Sequence, residues 1–436
     1  MADFARSAHP GVQAQLDRLA KLSPAGDRLG LERISALLDR LGRPQDRLPP
    51  VFHVAGTNGK GSTVAFLRAA LEAAGHKVHA FTSPHLVRFN ERIRVAGRLI
   101  EDEPLAALLA EVIDAGDGIE PSFFEVATAA AILAFARTPA DACILEVGLG
   151  GRLDSTNIID HPAVTGIASL ALDHQHFLGN RLADIAGEKA GIAKRDVPLI
   201  TQLYPPQIAS RIGGIARDKG AVWLPRGQAW DAFARRGKLH YRDQRGTLEL
   251  PLPSLPGKHQ AVNAALAVAM LRHQQALDVP EAAMRAAMTS AHWPARMQKL
   301  TDGPLTHLLP EGSELWLDGG HNPSAARAIA EFVQLRFNHD LPLVLAFASL
   351  STKNPKGVLS PFRGLASVVL TLPIPDHDHR DPQELAGLAR ELGFRAEPHQ
   401  DIANALAAIR APARVLIFGS LYLAGEVLAA NGEIPD

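Results

Sequence analysis

The chain has 436 residues, of which 47% are hydrophobic and 21% are charged, and its formal net charge at pH 7 is -1. A chain of this length exceeds what one hydrophobic core usually serves, so two domains are expected. The balanced charge gives no broad attraction for nucleic acid or an anionic membrane, and no apolar run approaches membrane-spanning length. We therefore expect small-molecule partners, with no nucleic acid and no membrane.

The first residues and the cysteine content indicate the compartment. Residues 1–6 lack the basic and then apolar segments of a secretory signal. The single cysteine, Cys143, cannot form an internal disulfide and lies in an apolar run typical of a strand, which predicts a buried structural thiol. A cytoplasmic protein is expected, and a monomer.

Apolar runs alternate with helical patterns in the first part of the chain, from about residue 50 to residue 200. Such alternation is typical of a parallel sheet covered by helices. The predicted strands are 50–54, 78–82, 142–147, 164–170 and 197–201, and the predicted helices are 64–74, 124–137 and 182–193.

The pattern changes between residues 221 and 252, where short polar-apolar alternation predicts a small antiparallel patch before a helix over 259–273. A second alternation follows a break at 293–296 and predicts a smaller doubly wound, Rossmann-like domain. Its predicted strands are 314–317, 343–347, 368–372 and 414–418, and its predicted helices are 325–337, 382–392, 402–409 and 422–430. We predict an α/β protein with two domains, 1–295 and 296–436.

A glycine-rich turn, residues 56–62, lies between the first predicted strand and the first predicted helix. Backbone N–H groups of such a turn hold phosphate oxygens, and Lys60 is predicted to reach the terminal phosphates of ATP. The spacing departs from the usual P-loop, because Val54 and Gly61 stand where glycine and a hydroxyl residue are expected. The alternative is a glycine turn with a solvated lysine.

Acidic and histidine side chains follow two later strands. Glu146 ends a predicted strand, where ligands of parallel sheets collect, so it is a candidate magnesium ligand or else a surface acid. The glycines that follow it do not complete a dinucleotide fingerprint. His174 and His176 follow another strand, and either a metal ligand or a loop residue fits their spacing. The charged loop 375–380 favours a solvated turn over a metal site.

Lys189 interrupts the apolar face of the predicted helix 182–193. Burial would lower its pKa and raise the uncharged fraction that reacts with an electrophile such as carbon dioxide, unless the side chain extends to solvent. In the second domain, Asp318 ends a strand and His321 lies near a helix start, so both are positioned for ligand contact. Asn322 is a candidate helix cap before Pro323.

These segments resemble the Mur ligase family, and most closely its folate branch, the dihydrofolate synthase/folylpolyglutamate synthases. The similar segments occur in family order, and the variant spacing of the phosphate loop belongs to that family. The sequence departs from the family pattern at two places. Residues 179–181 stand where Gly-Asp-Thr is common, and Gly320 stands where alanine is common. The matching segments are 56–62, 83–92, 123–125, 146–157, 173–174, 188–192, 318–323 and 418–425.

The resemblance implies a P-loop, Mur-ligase-type ATP-binding domain followed by a Rossmann-like ligase domain. It implies catalytic roles for Lys60, Glu146, His174 and Lys189, with Lys189 carbamylated. It implies a magnesium ion held by Ser83, Glu146 and His174. The implied ATP-binding residues are Asn58, Gly59, Lys60, Gly61, Ser62, Asn263, Arg296, Asp318 and His321, the last three from the smaller domain. The implied pterin-binding residues are Gly26, Asp27, Arg28, Ser122, Phe123, Phe124, Glu125, Leu153, Asp154 and Ser155.

The implied activity is an ATP-dependent amide ligase that adds L-glutamate to dihydropteroate and to folate γ-glutamyl tails through an acyl phosphate. Closure of the two domains would shield that intermediate from water. Two alternatives within the family are a folylpolyglutamate synthase only and another Mur-type amino-acid ligase. For a cell-wall precursor ligase, the roughly 50 residues before the phosphate loop leave too little chain for a uridine-nucleotide domain. An alternative of another class is a nucleotide-binding regulator without ligase activity.

Overall fold

The computed structural model of the protein describes residues 5–22, 29–337 and 340–436. The chain divides into two compact units. The first consists of Met1–Ser254, Gln260–His292 and Asp436, and the second consists of Leu255–His259 and Trp293–Pro435. The domain boundary between residues 295 and 296 stays a prediction.

An eight-stranded sheet forms the centre of the first unit, in the order β4-β3-β2-β5-β1-β6-β7-β8. Neighbouring strands are parallel, except that β3 pairs antiparallel with both β2 and β4. The parallel sheet predicted from the sequence is therefore confirmed. The strands are β1 (Val51–Ala55), β2 (Val78–Phe81), β3 (Ile93–Val95), β4 (Arg98–Leu99), β5 (Ala142–Glu146), β6 (Val164–Ile167), β7 (Pro198–Thr201) and β8 (Val222–Pro225).

Ten helices accompany this sheet among the described residues, and they explain why its central strands are completely buried. Every residue of β1 and of β5 is buried, as expected for strands covered on both faces. Cys143 is 0% exposed, which confirms the prediction of a buried thiol. The helices are α1 (Pro10–Leu22), α2 (Glu32–Arg40), α3 (Lys60–Ala73), α4 (Asp102–Ala115), α5 (Phe123–Arg137), α6 (Gln175–Leu178), α7 (Leu182–Ala190), α8 (Pro206–Asp218), α9 (Lys258–His273) and α10 (Glu281–Ser290).

The antiparallel patch is present, but the prediction was wrong about where it begins. A three-stranded antiparallel sheet is formed by β9 (Trp230–Arg235), β10 (Lys238–Asp243) and β11 (Gly246–Pro251). The segment before it, β8, instead pairs in parallel with β7 at the edge of the main sheet. β8 is an apolar run of only four residues, and so short a run does not indicate whether the strand pairs in parallel or antiparallel.

The second unit contains a six-stranded sheet in the order β12-β13-β17-β14-β15-β16, parallel except for the β12–β13 pair. The predicted doubly wound α/β arrangement is confirmed. The short strands β12 and β16 and the helix α12 were missed, because they span less than the windows that show periodicity. The elements are β12 (Gln298–Lys299), β13 (Glu314–Leu317), α11 (Pro323–Arg336), β14 (Leu343–Phe347), α12 (Pro355–Leu359), β15 (Val368–Thr371), α13 (Pro382–Glu391), β16 (Arg395–Pro398), α14 (Ile402–Ala407), β17 (Arg414–Phe418) and α15 (Leu421–Asn431).

Two of the predicted helices differ from the structure by three or more residues at one end. The helix expected over 64–74 begins at Lys60, directly after the glycine turn. The helix expected over 182–193 ends at Ala190, although Ile192 and Ala193 are buried as predicted. Within the described part of the chain, no helix is both long and apolar enough to cross a membrane.

Candidate active site

Four neighbouring strands of the first unit, β2, β5, β1 and β6, end at the same edge of the sheet. Their register pairs Phe81 with Leu145, Val54 with Glu146, and Ala55 with Ile167. In open parallel sheets, ligands bind outside the carboxyl ends of the strands. The topology therefore gathers at one edge the segments that carry Ser83, Glu146, the phosphate loop and His174.

The phosphate loop has the backbone conformation that a glycine turn requires. Gly59 has φ +84° and immediately precedes α3, and a Cβ at this position would collide with the side chain of Asn263. The residue that precedes α3 is Gly59, which has no side chain to cap the first turn of the helix. The N–H groups at the start of a helix can bind an anion, so this turn stays the predicted phosphate site. Gly61 and Ser62 are buried within the same turn.

Lys60 lies over its own loop. Its Nζ donates a hydrogen bond to the carbonyl oxygen of Gly56 at 3.2 Å. Asn263, which the family resemblance assigned to ATP, is 4% exposed, and its Nδ2 donates to Oε1 of Gln260 at 3.0 Å. The structure thus places Asn263 of α9 against the phosphate loop, although about 200 residues separate the two in the sequence.

The segment after β6 supports the phosphate loop, a role that the sequence did not reveal. The carbonyl oxygen of Ser169 accepts hydrogen bonds from Thr57 N at 2.8 Å and Asn58 N at 3.2 Å. Thr57 Oγ1 donates to Ala171 O at 3.1 Å. Hydrogen bonds between two loops depend on which strands are neighbours, so local spacing carries no signal for them. This connection brings the segment leading to His174 beside the loop.

Glu146 and Ser83 lie together at the ends of β5 and β2. The Glu146 side chain is 4% exposed, and its Oε2 accepts a hydrogen bond from Ser83 N at 3.4 Å. A buried carboxylate, a serine hydroxyl and an imidazole form a donor set that suits a hard or borderline divalent cation. His174 directly precedes α6 with φ 50°, after the buried Asp173. The surface-acid alternative for Glu146 is not supported by this burial.

The predicted magnesium ligands are Ser83, Glu146 and His174, and only the last two are acidic or histidine side chains. Within residues 5–22, 29–337 and 340–436, no group of three or more His, Cys, Asp or Glu side chains is arranged to hold a metal ion. The charged loop 375–380 is accordingly a turn whose residues are exposed or half-buried. Its interpretation as a solvated turn fits the structure.

Lys189 is buried in the first unit, with 4% of its surface exposed. Its Nζ donates to Gly150 O at 3.4 Å. Burial, followed by the positive charge of Lys60, lowers the pKa of Lys189 to about 7, although Asp154, Asp173 and Glu188 act in the opposite direction. The shift makes the uncharged amine accessible near neutral pH, and the burial of Lys189 excludes the solvent-exposed alternative.

The first predicted pterin segment forms the start of α5. Ser122 and Glu125 make a reciprocal capping box, with Ser122 N donating to Glu125 Oε2 at 2.7 Å. The same oxygen of Glu125 accepts a hydrogen bond from Arg33 Nε at 3.0 Å. Phe123 and Phe124 follow the cap, and the Phe124 ring occupies the space that a Cβ at Gly148 would fill. Glu125 therefore positions this segment through its own contacts within the protein.

The second predicted pterin segment, 153–155, lies in the loop after β5. Asp154 is 3% exposed, and its carboxylate accepts hydrogen bonds from Leu149 N at 2.8 Å, Thr156 N at 2.9 Å and Thr156 Oγ1 at 2.5 Å. Burial raises its pKa, while these hydrogen bonds oppose the shift. The third segment, Gly26, Asp27 and Arg28, lies outside the described residues.

Within the second unit, Asp318 connects the other predicted nucleotide residues. Its carboxylate is 5% exposed and accepts from Met297 N at 2.8 Å and Gly320 N at 2.7 Å. Burial raises the pKa of Asp318, and the charge of Arg296 opposes that shift. His321 Nδ1 lies 3.1 Å from Gly319 O. Arg296, Asp318 and His321 thus occupy one region of this unit.

Two further observations concern positions that the sequence analysis singled out. Asn322 caps α11 through a hydrogen bond from Ala325 N at 3.0 Å, which confirms that prediction. A Cβ at Gly320 would lie 2.6 Å from Ile329 Cδ1, so an alanine at this position would require the Ile329 side chain to move. Arg181, in the other departure, forms an exposed ion pair with Asp184 at 2.9 Å.

Known proteins are similar to this chain in sequence and in fold. Residues 305–430 match the family model described as dihydrofolate synthetase, C-terminal domain. The chain is 35% identical over 359 residues to the dihydrofolate synthase/folylpolyglutamate synthase of Bacillus subtilis (strain 168), covering 79% of this chain and 81% of that protein. It is similar to E. coli FolC solved in complex with DHPP and ADP, with a TM-score of 0.86 and 34% identity, covering 98% of each chain.

A second solved structure extends the comparison to other ligands. It is a bifunctional folylpolyglutamate synthase/dihydrofolate synthase with Mn, AMPPNP and L-glutamate bound. Its TM-score is 0.84 at 31% identity, covering 98% of this chain and 99% of that one. Together with the strand-end site, these similarities show that the chain belongs to the dihydrofolate synthase/folylpolyglutamate synthase family of ATP-dependent ligases.

Proposed function

We propose that the protein adds L-glutamate to dihydropteroate, forming dihydrofolate, and extends the γ-glutamyl tails of folates. The observation that carries this proposal is the convergence of a glycine turn at the start of α3, buried Glu146 and buried Lys189 in the first unit of a member of this family. The ligands of the solved relatives support it, since they include ADP, DHPP and L-glutamate. A nucleotide-binding regulator has no need for two buried ionisable side chains beside the loop.

In the proposed first step, the substrate carboxylate attacks the γ-phosphate of ATP. An O–P bond forms, the bond to the bridging oxygen breaks, and ADP leaves an acyl phosphate behind. Lys60 and the N–H groups of the first turn of α3 neutralise the charge on the phosphate oxygens during this transfer. In the second step, the amine of glutamate forms a C–N bond, a proton is lost, and phosphate leaves.

Ser83, Glu146 and His174 are proposed to hold a divalent cation, which we infer to be magnesium. Bound there, the cation would supply charge neutralisation at the phosphates. The burial of Glu146 and its proximity to Ser83 support this set, as does a relative solved with Mn and AMPPNP. The role of the protein residues is to fix the cation beside the phosphate loop through side chains on neighbouring strands.

Lys189 is proposed to be carbamylated. Its uncharged amine would attack carbon dioxide, forming an N–C bond and releasing a proton, and the product carries a carboxylate where an ammonium stood. The support is its burial and a pKa of about 7, which leaves reactive amine at neutral pH. The carboxylate would help to position the metal.

The remaining assignments belong to the same proposal. The other proposed ATP-binding residues are Asn58, Gly59, Gly61, Ser62, Asn263, Arg296, Asp318 and His321. The pterin would contact the segments 122–125 and 153–155, together with 26–28. A cytoplasmic monomer completes the proposal, supported by a single buried cysteine that leaves the protein without an internal disulfide.

One assay tests the proposed function. Purified protein should release ADP and phosphate only when ATP, L-glutamate and a pteroate or folate are all present. Dihydropteroate and a reduced folate are compared as acceptors, and the products are analysed by mass. Products from the folate alone would restrict the activity to a folylpolyglutamate synthase. Turnover that does not require either acceptor would contradict the proposal, and nucleotide binding without any product would favour the regulator.

Replacing Glu146 with glutamine should weaken metal binding about 100-fold or more, because a neutral amide of the same shape replaces a buried anionic ligand. Calorimetric titration of Mg²⁺ or Mn²⁺ in the presence of ADP measures this change. Glu72→Gln is the matched control, since Glu72 is an exposed carboxylate of α3. Equal metal affinity in wild type and Glu146→Gln would remove Glu146 from the ligand set.

A further inference from the structure

A chain of buried hydrogen bonds joins β1 to the loop between β5 and β6. His53 Nε2 lies 2.8 Å from Thr156 Oγ1, and Thr156 Oγ1 lies 2.5 Å from Asp154 Oδ1. Leu149 N completes the chain by donating to Asp154 Oδ2 at 2.8 Å. His53 and Thr156 are 0% exposed, and Asp154 is 3% exposed. We call this chain the His53 relay.

The direction of the relay follows from proton counting. Burial and the charge of Lys194 lower the pKa of His53 to about 3, so the ring is neutral at neutral pH and carries one proton. Thr156 has a single hydroxyl proton, and an ionised Asp154 can only accept. Thr156 therefore donates to Asp154 and accepts from His53 Nε2–H.

The other ring nitrogen supports the same direction. Among the described residues, His53 Nδ1 is a buried atom without a hydrogen-bond partner. In the direction given above, this atom is an unprotonated acceptor. In the reverse direction it would be a buried N–H without an acceptor, which folded proteins rarely tolerate. The Nε2–H tautomer is therefore favoured, because it leaves Nδ1 as an unsatisfied acceptor and not as an unsatisfied N–H donor.

The two ends of the relay belong to different parts of the candidate site. His53 lies on β1, three residues before Gly56 of the phosphate loop, whereas Asp154 lies in the predicted pterin segment. We propose that His53 and Thr156 are positioning residues that hold the pterin-side loop, residues 148–157, in register with the phosphate loop. The part of this inference that concerns binding of the pterin acceptor rests on the proposed function.

The loop has an additional attachment, so losing the relay should displace the loop without unfolding it. Asn157 Nδ2 donates to Gly191 O at 3.3 Å, and Arg152 N donates to Glu188 O of α7 at 2.8 Å. These hydrogen bonds do not involve His53 or Thr156. A relay variant should therefore bind nucleotide as the wild type does, and lose affinity for the acceptor.

Four variants test the relay by steady-state kinetics. Thr156→Val and His53→Phe each remove one link with little change in shape. Thr156→Ser keeps the hydroxyl, and His53→Gln places an amide N–H near the position of Nε2. His79→Phe is the matched control, because His79 is an equally buried histidine, on β2, whose ring contacts backbone groups of Thr138 and Ala96.

Thr156→Val and His53→Phe should each raise KM for dihydropteroate about tenfold, the size expected for a buried hydrogen bond to a charged network, with the Kd for ADP within about twofold of wild type. The double variant should equal the larger single effect, because both changes break the same chain. Thr156→Ser and His53→Gln should recover most of the affinity. His79→Phe should leave KM for dihydropteroate unchanged.

Additive effects in the double variant, an unchanged KM, or an equal loss of ADP affinity would each overturn the positioning role. Nitrogen-15 NMR of histidine-labelled protein gives a readout that does not depend on activity. The resonance missing from His53→Gln should show a protonated Nε2 and a bare Nδ1, and the opposite tautomer would overturn the direction of the relay. Wild-type protein without glutamate-dependent turnover would contradict the proposed function, while the NMR result still decides the direction.

Discussion

Replacing Lys60 with alanine is expected to lower kcat for glutamate-dependent ADP release about 1,000-fold, the scale seen when a preorganised charge-stabilising donor is removed. The side chain begins α3, and its amine already lies against the phosphate loop, 3.2 Å from Gly56 O. It therefore needs little reorganisation to reach a phosphate. Alanine keeps the helix, because it is the best helix former, so the loss should be catalytic.

Two measurements separate catalysis from folding for this variant. Thermal unfolding of Lys60→Ala should match the wild type within a few degrees, and rapid-quench assays should show that formation of the acyl phosphate has become slow. Lys77→Ala is the control, since Lys77 is exposed and precedes β2 at the opposite edge of the sheet. Turnover by Lys60→Ala within about tenfold of wild type would show that another group neutralises the phosphate charge.

Replacing Lys189 with methionine is expected to lower ligase activity about 1,000-fold, because the carbamate is proposed to act as a preorganised charge. The same substitution is expected to raise the stability of the protein. The activity falls because methionine cannot react with carbon dioxide. Stability rises because burial of the charged amine costs free energy, as its pKa shift from 10.5 to about 7 shows. Burial of an apolar side chain of similar length does not carry this cost.

The pH dependence of the stability gain has a definite sign. Between pH 7 and 10.5 the unfolded chain holds a proton on Lys189 that the folded protein has released. The free energy of unfolding contributed by this group therefore rises with pH across that window, and the destabilisation is complete below about pH 7. The gain from Lys189→Met should be largest at neutral pH and should shrink as pH approaches 10.5.

Denaturant unfolding in buffers depleted of carbon dioxide measures this gain on the unmodified lysine. Carbon-13 NMR in bicarbonate-enriched buffer should show a carbamate resonance in wild type that Lys189→Met lacks. Lys194→Met is a control, because Lys194 is another partly buried lysine of this unit, whose Nζ donates to Asn157 O at 3.0 Å. A destabilised Lys189→Met protein, or full activity without carbon dioxide, would contradict the assignment.

Much of the fold could be predicted from the sequence, because the elements that were found carry their own periodicity. Continuous apolar runs such as β1 and β5 identify strands that are buried on both faces. The short strands β12 and β16 carry too few residues to show a pattern, and the short apolar run of β8 does not indicate which sheet the strand joins.

Part of the site was also predictable from local chemistry. Three glycines and Lys60 between a strand and a helix define a phosphate loop wherever they occur. Lys189 was detectable because one charged residue stood on an otherwise apolar helical face. Each of these signals depends on neighbours in the chain.

The tertiary structure decided which of these residues meet. The strand order β2-β5-β1-β6 brings together segments that the chain visits in a different order, so Ser83 lies beside Glu146 and Ser169 supports the phosphate loop. The pKa of Lys189 and the His53 relay likewise depend on burial between distant segments. The sequence by itself determined the phosphate loop and the alternation of elements, which are local. Adjacency and desolvation were decided only by folding, because they arise from crossover connections between strands.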